Sequence, residues 1–259
     1  MLLKGKTAVV FAAGGAISTA VARKFAAEGA RVYLSGRSNI TVEPLAAALK
    51  APWKEVDAAD EGQVVAWVDE VVDDAGRIDI VFNGIGPRAG DASYATSSFA
   101  IPYEHFLMPV QMIAGSQFLT ARTVGRHMVR QGGGAIVFLS ASLSGSFVPF
   151  MSGITAACGA TEALSRTLAA EFAQAGVRVN CVRAGGMPET RTILETTANM
   201  GRTLGQSQEE ASRAAMANLR GRPLTVGETA NMVAWVASDQ ASGVVGQVVN
   251  VCAGSIVSR

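Results

Sequence analysis

The chain has 259 residues, of which 49% are hydrophobic and 17% charged, so its bulk is too apolar to be disordered and long enough to bury a full core. Lysine plus arginine number 22 and aspartate plus glutamate 21, a net charge of +1, which argues against nucleic acid as a partner. In chain order, Thr7–Phe11 reads as a short buried strand ending before Gly14-Gly15. Ile17 to Glu28 reads as a helix, with Ile17, Val21 and Phe25 on one face and Gly29 as its stop. Arg31–Leu34 is a second strand. Glu61 to Asp74 is an amphipathic helix with Asp60 as its N-cap and Val64, Val65, Val68, Val71 and Val72 on its apolar face. Ile78–Phe82 is a strand, Phe106–Val129 a helix and Ala135–Leu139 a strand. Ala156–Ala175 is a helix and Val177–Val182 a strand. The helix Glu228–Ala237 and the strand Gln247–Val251 follow.

This alternation predicts a single α/β domain over residues 1–259, a doubly wound parallel sheet with helices on both faces. Gly185–Arg222 is polar and interrupts the alternation, so it is expected to be a helical insertion or lid on the substrate side. Gln131–Thr161 carries no charge, yet the run Gly132-Gly133-Gly134, five serines and Pro149 break it. It is therefore read as strand, loop and buried helix, not as a membrane span. Cys158, Cys181 and Cys252 are too scattered for a disulfide framework or a paired zinc site, and no metal is expected. The N-terminus shows no signal-peptide pattern, so the cytoplasm is the expected location.

Several pieces together resemble the short-chain dehydrogenase/reductase family, which has a Rossmann-type fold. They are Ala12-Ala13-Gly14-Gly15-Ala16-Ile17-Ser18 after the first strand, Asp57 after a third, and Asn83-Gly84-Ile85-Gly86 after a fourth. Val179–Gly185 and Ser238–Gln247 complete the set, and the resemblance spans essentially the whole length. It implies a nicotinamide nucleotide held by Ala12, Gly14, Gly15, Ile17, Ser18, Arg37, Asp57, Asn83, Gly84 and Gly185. The family's glycines at positions 12, 16 and 18 are Ala, Ala and Ser here. A backbone that must approach a pyrophosphate closely is less accommodating with a methyl group in place of hydrogen. Arg37 falls where NADP-binding members place a base, and a guanidinium there can pair with a 2′-phosphate. NADP(H) is the expected cofactor, with NAD(H) or no nucleotide as alternatives.

On the catalytic side the resemblance implies a tyrosine and, four residues on, a lysine that lowers its pKa. Those positions hold Ile154 and Cys158. The three tyrosines, Tyr33, Tyr94 and Tyr103, are followed four residues later by Arg37, Ser98 and Leu107, and all five lysines lie within the first 54 residues. No Tyr/Lys pair at that spacing exists. The family's serine position falls at Ala141 or Ser142, and its asparagine position near Ile113. Tyr94, Tyr103 and His105 lie on the segment that borders the substrate in the family, and Arg183 ends the sixth strand. The expectation is a proton from Tyr103 or His105, with Ser142 orienting a carbonyl; alternatively these are ordinary surface or core residues. Cys158 is read as a small packing residue. The expected function is an NADP(H)-dependent oxidoreductase acting on a small carbonyl or alcohol. A non-redox lyase or isomerase and a non-catalytic binding subunit are the alternatives. The run Phe147–Met151 suggests an apolar substrate pocket. The helices near 106–129 and 156–175 are expected to build a homo-oligomer, a dimer or tetramer.

Overall fold

A computed structural model of the chain describes residues 1–257. Seven strands form one parallel sheet: β1 Thr7–Phe11, β2 Arg31–Gly36, β3 Trp53–Glu55, β4 Ile80–Asn83, β5 Gly134–Ala141, β6 Val177–Ala184 and β7 Val248–Val251. Their spatial order is β3-β2-β1-β4-β5-β6-β7. The helices are α1 Ala16–Ala27, α2 Asn39–Leu49, α3 Glu61–Ala75, α4 Tyr103–Pro109, α5 Ser116–Gln131, α6 Ser152–Phe172, α7 Arg191–Leu204, α8 Gln208–Ala215 and α9 Val226–Ala237.

The two faces of the sheet are read directly from β1. Ala8 and Val10 enter a core shared with α1, α2 and α9. Val9 and Phe11 enter the opposite core, built with α3, α5 and α6. Side chains alternate along a strand, so a strand buried on both sides is apolar throughout. That explains the unbroken run Thr7–Phe11, buried at every residue. Asp60 caps α3 by accepting from Gln63 N at 3.0 Å.

Three expectations need adjustment. The helix expected over Phe106–Val129 is divided, with a π-helical turn at Val110–Gly115 between α4 and α5. Pro109 ends α4 and has no N–H to give, so the regular ladder cannot pass it unchanged. The helix expected from Ala156 begins four residues earlier, at Ser152. The short strand β3 and the helix α2 were not delimited by pattern, since β3 has only three residues and Pro44 interrupts α2.

Gly185–Arg222 contains α7 and α8. Thr190 caps α7, and Ser207 and Glu210 form a capping box on α8. Among the described residues no helix is long and apolar enough to cross a membrane.

Candidate active site at the carboxyl edge of the sheet

Strand order reverses direction between β1 and β4, and ligands of such sheets bind at the carboxyl ends beside that switch. The loop after β1 supplies the first wall. Ala12 stands at φ +53°, a left-handed conformation that costs an alanine about 1 kcal/mol or more. The turn's shape is thus retained although the glycine is not. Gly15 N donates to Ala12 O at 3.0 Å, and Gly15 then opens α1. Among the described residues no side chain caps α1, and its first turn holds no acidic residue. Gly15 and Ala16 are exposed there, so the positive end of the helix faces outward without a counter-charge.

Ser18 is turned the other way. Its hydroxyl is fully buried and has no hydrogen-bond partner among the described residues. It lies against Gly84, where a Cβ would overlap it. Arg37 is exposed just past β2 and makes no ion pair among the described residues. Asp57 is partly buried; its Oδ1 accepts from Ala59 N at 2.9 Å. Asn83 is engaged internally: Nδ2 donates to Ser116 Oγ at 3.1 Å and to Thr120 Oγ1 at 3.3 Å, while Oδ1 accepts from Ile85 N at 2.9 Å. It ties β4 to α5 and shapes the turn carrying Gly84. Gly185 N donates to Val251 O at 2.8 Å, and a Cβ at Gly185 would sit 3.0 Å from Cys252 Cα. Its lack of a side chain lets the ends of β6 and β7 meet.

An uncapped helix start, a tight turn at Ala12 and a free guanidinium at the end of β2 suit a phosphate-bearing ligand. These residues fit a nicotinamide nucleotide, with its pyrophosphate at the start of α1.

The catalytic side is apolar. Ile113, Ile154 and Cys158, the residues that the sequence resemblance aligns with the family's asparagine, tyrosine and lysine, share one buried cluster. Tyr94, Met151, Ala157, Ala89 and Ala92 complete it, with Ala141 and Leu143 packed at its edge. The Cys158 sulfur accepts from Ala141 N at 3.4 Å. Burial pushes its thiol up to about 11, which opposes a thiolate. Ser142 begins a short 3-10 turn, Ser142–Gly145, and its hydroxyl makes no hydrogen bond among the described residues. Tyr103 is 72% exposed and stacks on Phe106. His105 Nδ1 and Ser93 Oγ share a 2.6 Å hydrogen bond. Tyr103 and His105 both lie on α4, while Ser142 lies across the cluster at the end of β5.

Sequence reading missed a buried charged network beside this cluster. Glu162, one helical turn past Cys158, receives Ser140 Oγ and Ser144 Oγ at 2.6 Å each on Oε1. Arg183 donates to the same carboxylate through Nε at 2.8 Å and Nη2 at 2.5 Å, and through Nη1 to Asn250 Oδ1 at 3.1 Å. Burial alone would raise the Glu162 pKa, but Arg183 and the two serines outweigh it and hold the carboxyl below its ordinary value. The available signal was an acid on the buried stripe of α6 and a base, Arg183, near the end of β6.

A family model described as Enoyl-(Acyl carrier protein) reductase matches residues 12–255. The chain is 30% identical over 251 residues to an uncharacterized oxidoreductase, YxbG, of Bacillus subtilis (strain 168), covering 95% of this chain and 89% of the relative. It is 30% identical over 260 residues to a 7alpha-hydroxysteroid dehydrogenase of Clostridium sardiniense, covering 97% and 94%. NAD+-bound xylitol dehydrogenase superposes with a TM-score of 0.91 at 23% identity, over 98% of this chain and all of that one, a likeness of fold. With both the near-complete family match and the likeness of fold in view, the chain belongs to the short-chain dehydrogenase/reductase family of oxidoreductases.

Proposed function

We propose that the protein is an NADP(H)-dependent oxidoreductase of a small, apolar carbonyl or alcohol, working without the family's tyrosine and lysine. The observation that carries this reading is the pairing of an uncapped α1 start with the exposed, unpaired Arg37 at the end of β2. Backbone N–H groups of the first turn of α1, from Ala16 onward, would hold the pyrophosphate, and Arg37 would pair with the 2′-phosphate. A reduced nicotinamide nucleotide held by these residues would supply the hydride for carbonyl reduction. The chain itself must hold the substrate oxygen and deliver one proton. Ser142, with its hydroxyl uncommitted, orients that oxygen, and the proton comes from the segment between β4 and α5, on which Tyr103 and His105 lie. Gly185–Arg222 covers the substrate side, and the active unit is a homo-oligomer.

Calorimetric titration with NADPH, NADP+, NADH and NAD+ tests the cofactor assignment. Binding of the phosphorylated pair at least ten-fold tighter than the other two, with that preference lost in Arg37→Ala, supports it. Equal binding of all four in both proteins removes the NADP assignment.

A second reading is a non-redox lyase or isomerase, or a binding subunit, on the same fold. The apolar cluster at the Ile113, Ile154 and Cys158 positions favours it. Absence of binding by any of the four nucleotides would select it.

A further inference from the structure

We propose that Tyr94 is the proton donor of this site, contacting the substrate oxygen from the loop between β4 and α4. The inference deepens the redox reading above and rests on it.

Of the three phenols, Tyr33 is buried in the core shared with α3 and donates to Asp74 Oδ2 at 2.6 Å. Tyr103 stands in solvent at 72% exposure. Tyr94 alone enters the cluster of Ile113, Ile154 and Cys158, where it is 5% exposed. Its hydroxyl makes no hydrogen bond among the described residues. The ring is buried in the cluster, while the hydroxyl is not among the buried groups that lack a partner, so it keeps an open side from which a substrate oxygen can reach it.

The backbone holds Tyr94 in place at a cost. Ser93 and Ala95, on either side, both adopt left-handed conformations at φ +49° and +68°. Strain of this kind persists only where surrounding contacts enforce it. Those contacts are present. Tyr94 N donates to Ala89 O at 2.9 Å. Asn199 Nδ2 and Thr203 Oγ1, both on α7, reach Tyr94 O at 3.4 Å and Ala95 O at 2.7 Å. Ser93 is bound to His105, which makes His105 a positioning residue. The insertion and α4 thus brace one tyrosine from two directions.

The chemistry is a single proton transfer. As the carbonyl carbon accepts the hydride, the Tyr94 O–H bond breaks and a new O–H bond forms on the substrate oxygen; the phenolate then recovers its proton from water. Burial, and to a lesser degree Cys158, raises the Tyr94 pKa. Such a phenol yields its proton only to a strong base, and an alkoxide is one. No lysine assists, so turnover is slow. Met108, Met151 and Met200 border the cluster, and their flexible chains can move aside for an apolar ketone.

The test uses the intact protein, NADPH, and cyclohexanone and acetophenone as carbonyl probes. Two readouts are taken: ketone reduction, and the tyrosine ultraviolet difference spectrum when each ketone is added without nucleotide. Tyr94→Phe is expected to keep NADPH affinity and melting temperature, to lower kcat by about 10²-fold or more, and to abolish the tyrosine signal. Should Tyr94→Phe destabilise the fold, Asn199→Ala is the second variant, expected to lower kcat while retaining the tyrosine signal. A Tyr94→Phe protein that reduces ketones at the wild-type rate overturns the Tyr94 assignment alone. So does a wild type that binds NADPH but gives neither reduction nor a tyrosine signal with either ketone. A wild type that binds no nucleotide overturns the redox reading itself.

Discussion

The buried Ser18 hydroxyl occupies the space that a side chain on Gly84 would fill. One residue lies in the first turn of α1 and the other follows β4, so the pair sets how closely the helix approaches the sheet at the switch point. The family's usual glycine at position 18 is replaced by serine, and Gly84 accommodates the extra atoms. Gly84→Ala should therefore cost about 1–3 kcal/mol by overpacking, and Ser18→Gly in the same chain should recover most of it. Chemical denaturation of the two single variants and the double variant gives the coupling directly. Additive effects would mean that the two sites do not touch.

Ala12 gives a stabilising prediction. At φ +53° it bears a strain that glycine does not. Ala12→Gly should raise stability by about 0.5–1 kcal/mol and tighten nucleotide binding, since the added methyl also crowds a pyrophosphate. A thermal melt and a calorimetric titration check the two effects separately. An unchanged or lower melting temperature would show that the turn is relaxed with alanine.

The fold was legible because β1 and β5 are largely apolar runs that a sheet buried on both faces explains. The start of α1 was legible from Gly14-Gly15. Asn83 was legible as a turn residue, but its bonds to Ser116 and Thr120 were not, because they join residues more than thirty positions apart. Glu162 and Arg183 were hidden for the same reason. Each reads as a solitary charge, and only the pairing of β5 with β6 and the packing of α6 bring them together. The break at Pro109 followed from a known rule, yet a long amphipathic pattern on both sides masked it.

The Glu162–Arg183 pair carries a pH prediction. The side chains are 7% and 15% exposed, so little solvent screens them. The folded-state pKa of Glu162 lies below its ordinary value. Its contribution to stability is therefore fully present above the unfolded-state glutamate pKa of roughly 4.3, and is lost as pH falls through the lower folded value. Glu162→Gln leaves Arg183 buried without its counter-charge and should cost about 3–5 kcal/mol at neutral pH. The variant's stability should also vary less than the wild type's over the acidic range. Parallel acid titrations followed by circular dichroism test this, and identical acid midpoints would contradict it. Glu162→Leu combined with Arg183→Met should regain much of the loss, because two apolar side chains need no partner.

The cysteines give a prediction about the chemical inertness of the lysine position. Burial pushes the thiols of Cys158 and Cys181 up to about 11 and about 12. At pH 8 the thiolate fraction of Cys158 is then about 10⁻³, against roughly a quarter for an unperturbed thiol. Burial acts on Cys252 in the same direction, but hydrogen bonding with the Gly254–Ile256 backbone and Ser255 outweighs it and lowers that thiol. Native protein exposed to iodoacetamide should therefore label at Cys252 first, with Cys158 and Cys181 at least about a hundred-fold slower, as read by peptide mass spectrometry. Rapid labelling of Cys158 would show a thiolate beneath Ile154 and Tyr94, in a polar and accessible pocket. That result would remove the physical basis for placing an apolar substrate there, since a charged sulfur would then face the reacting carbonyl.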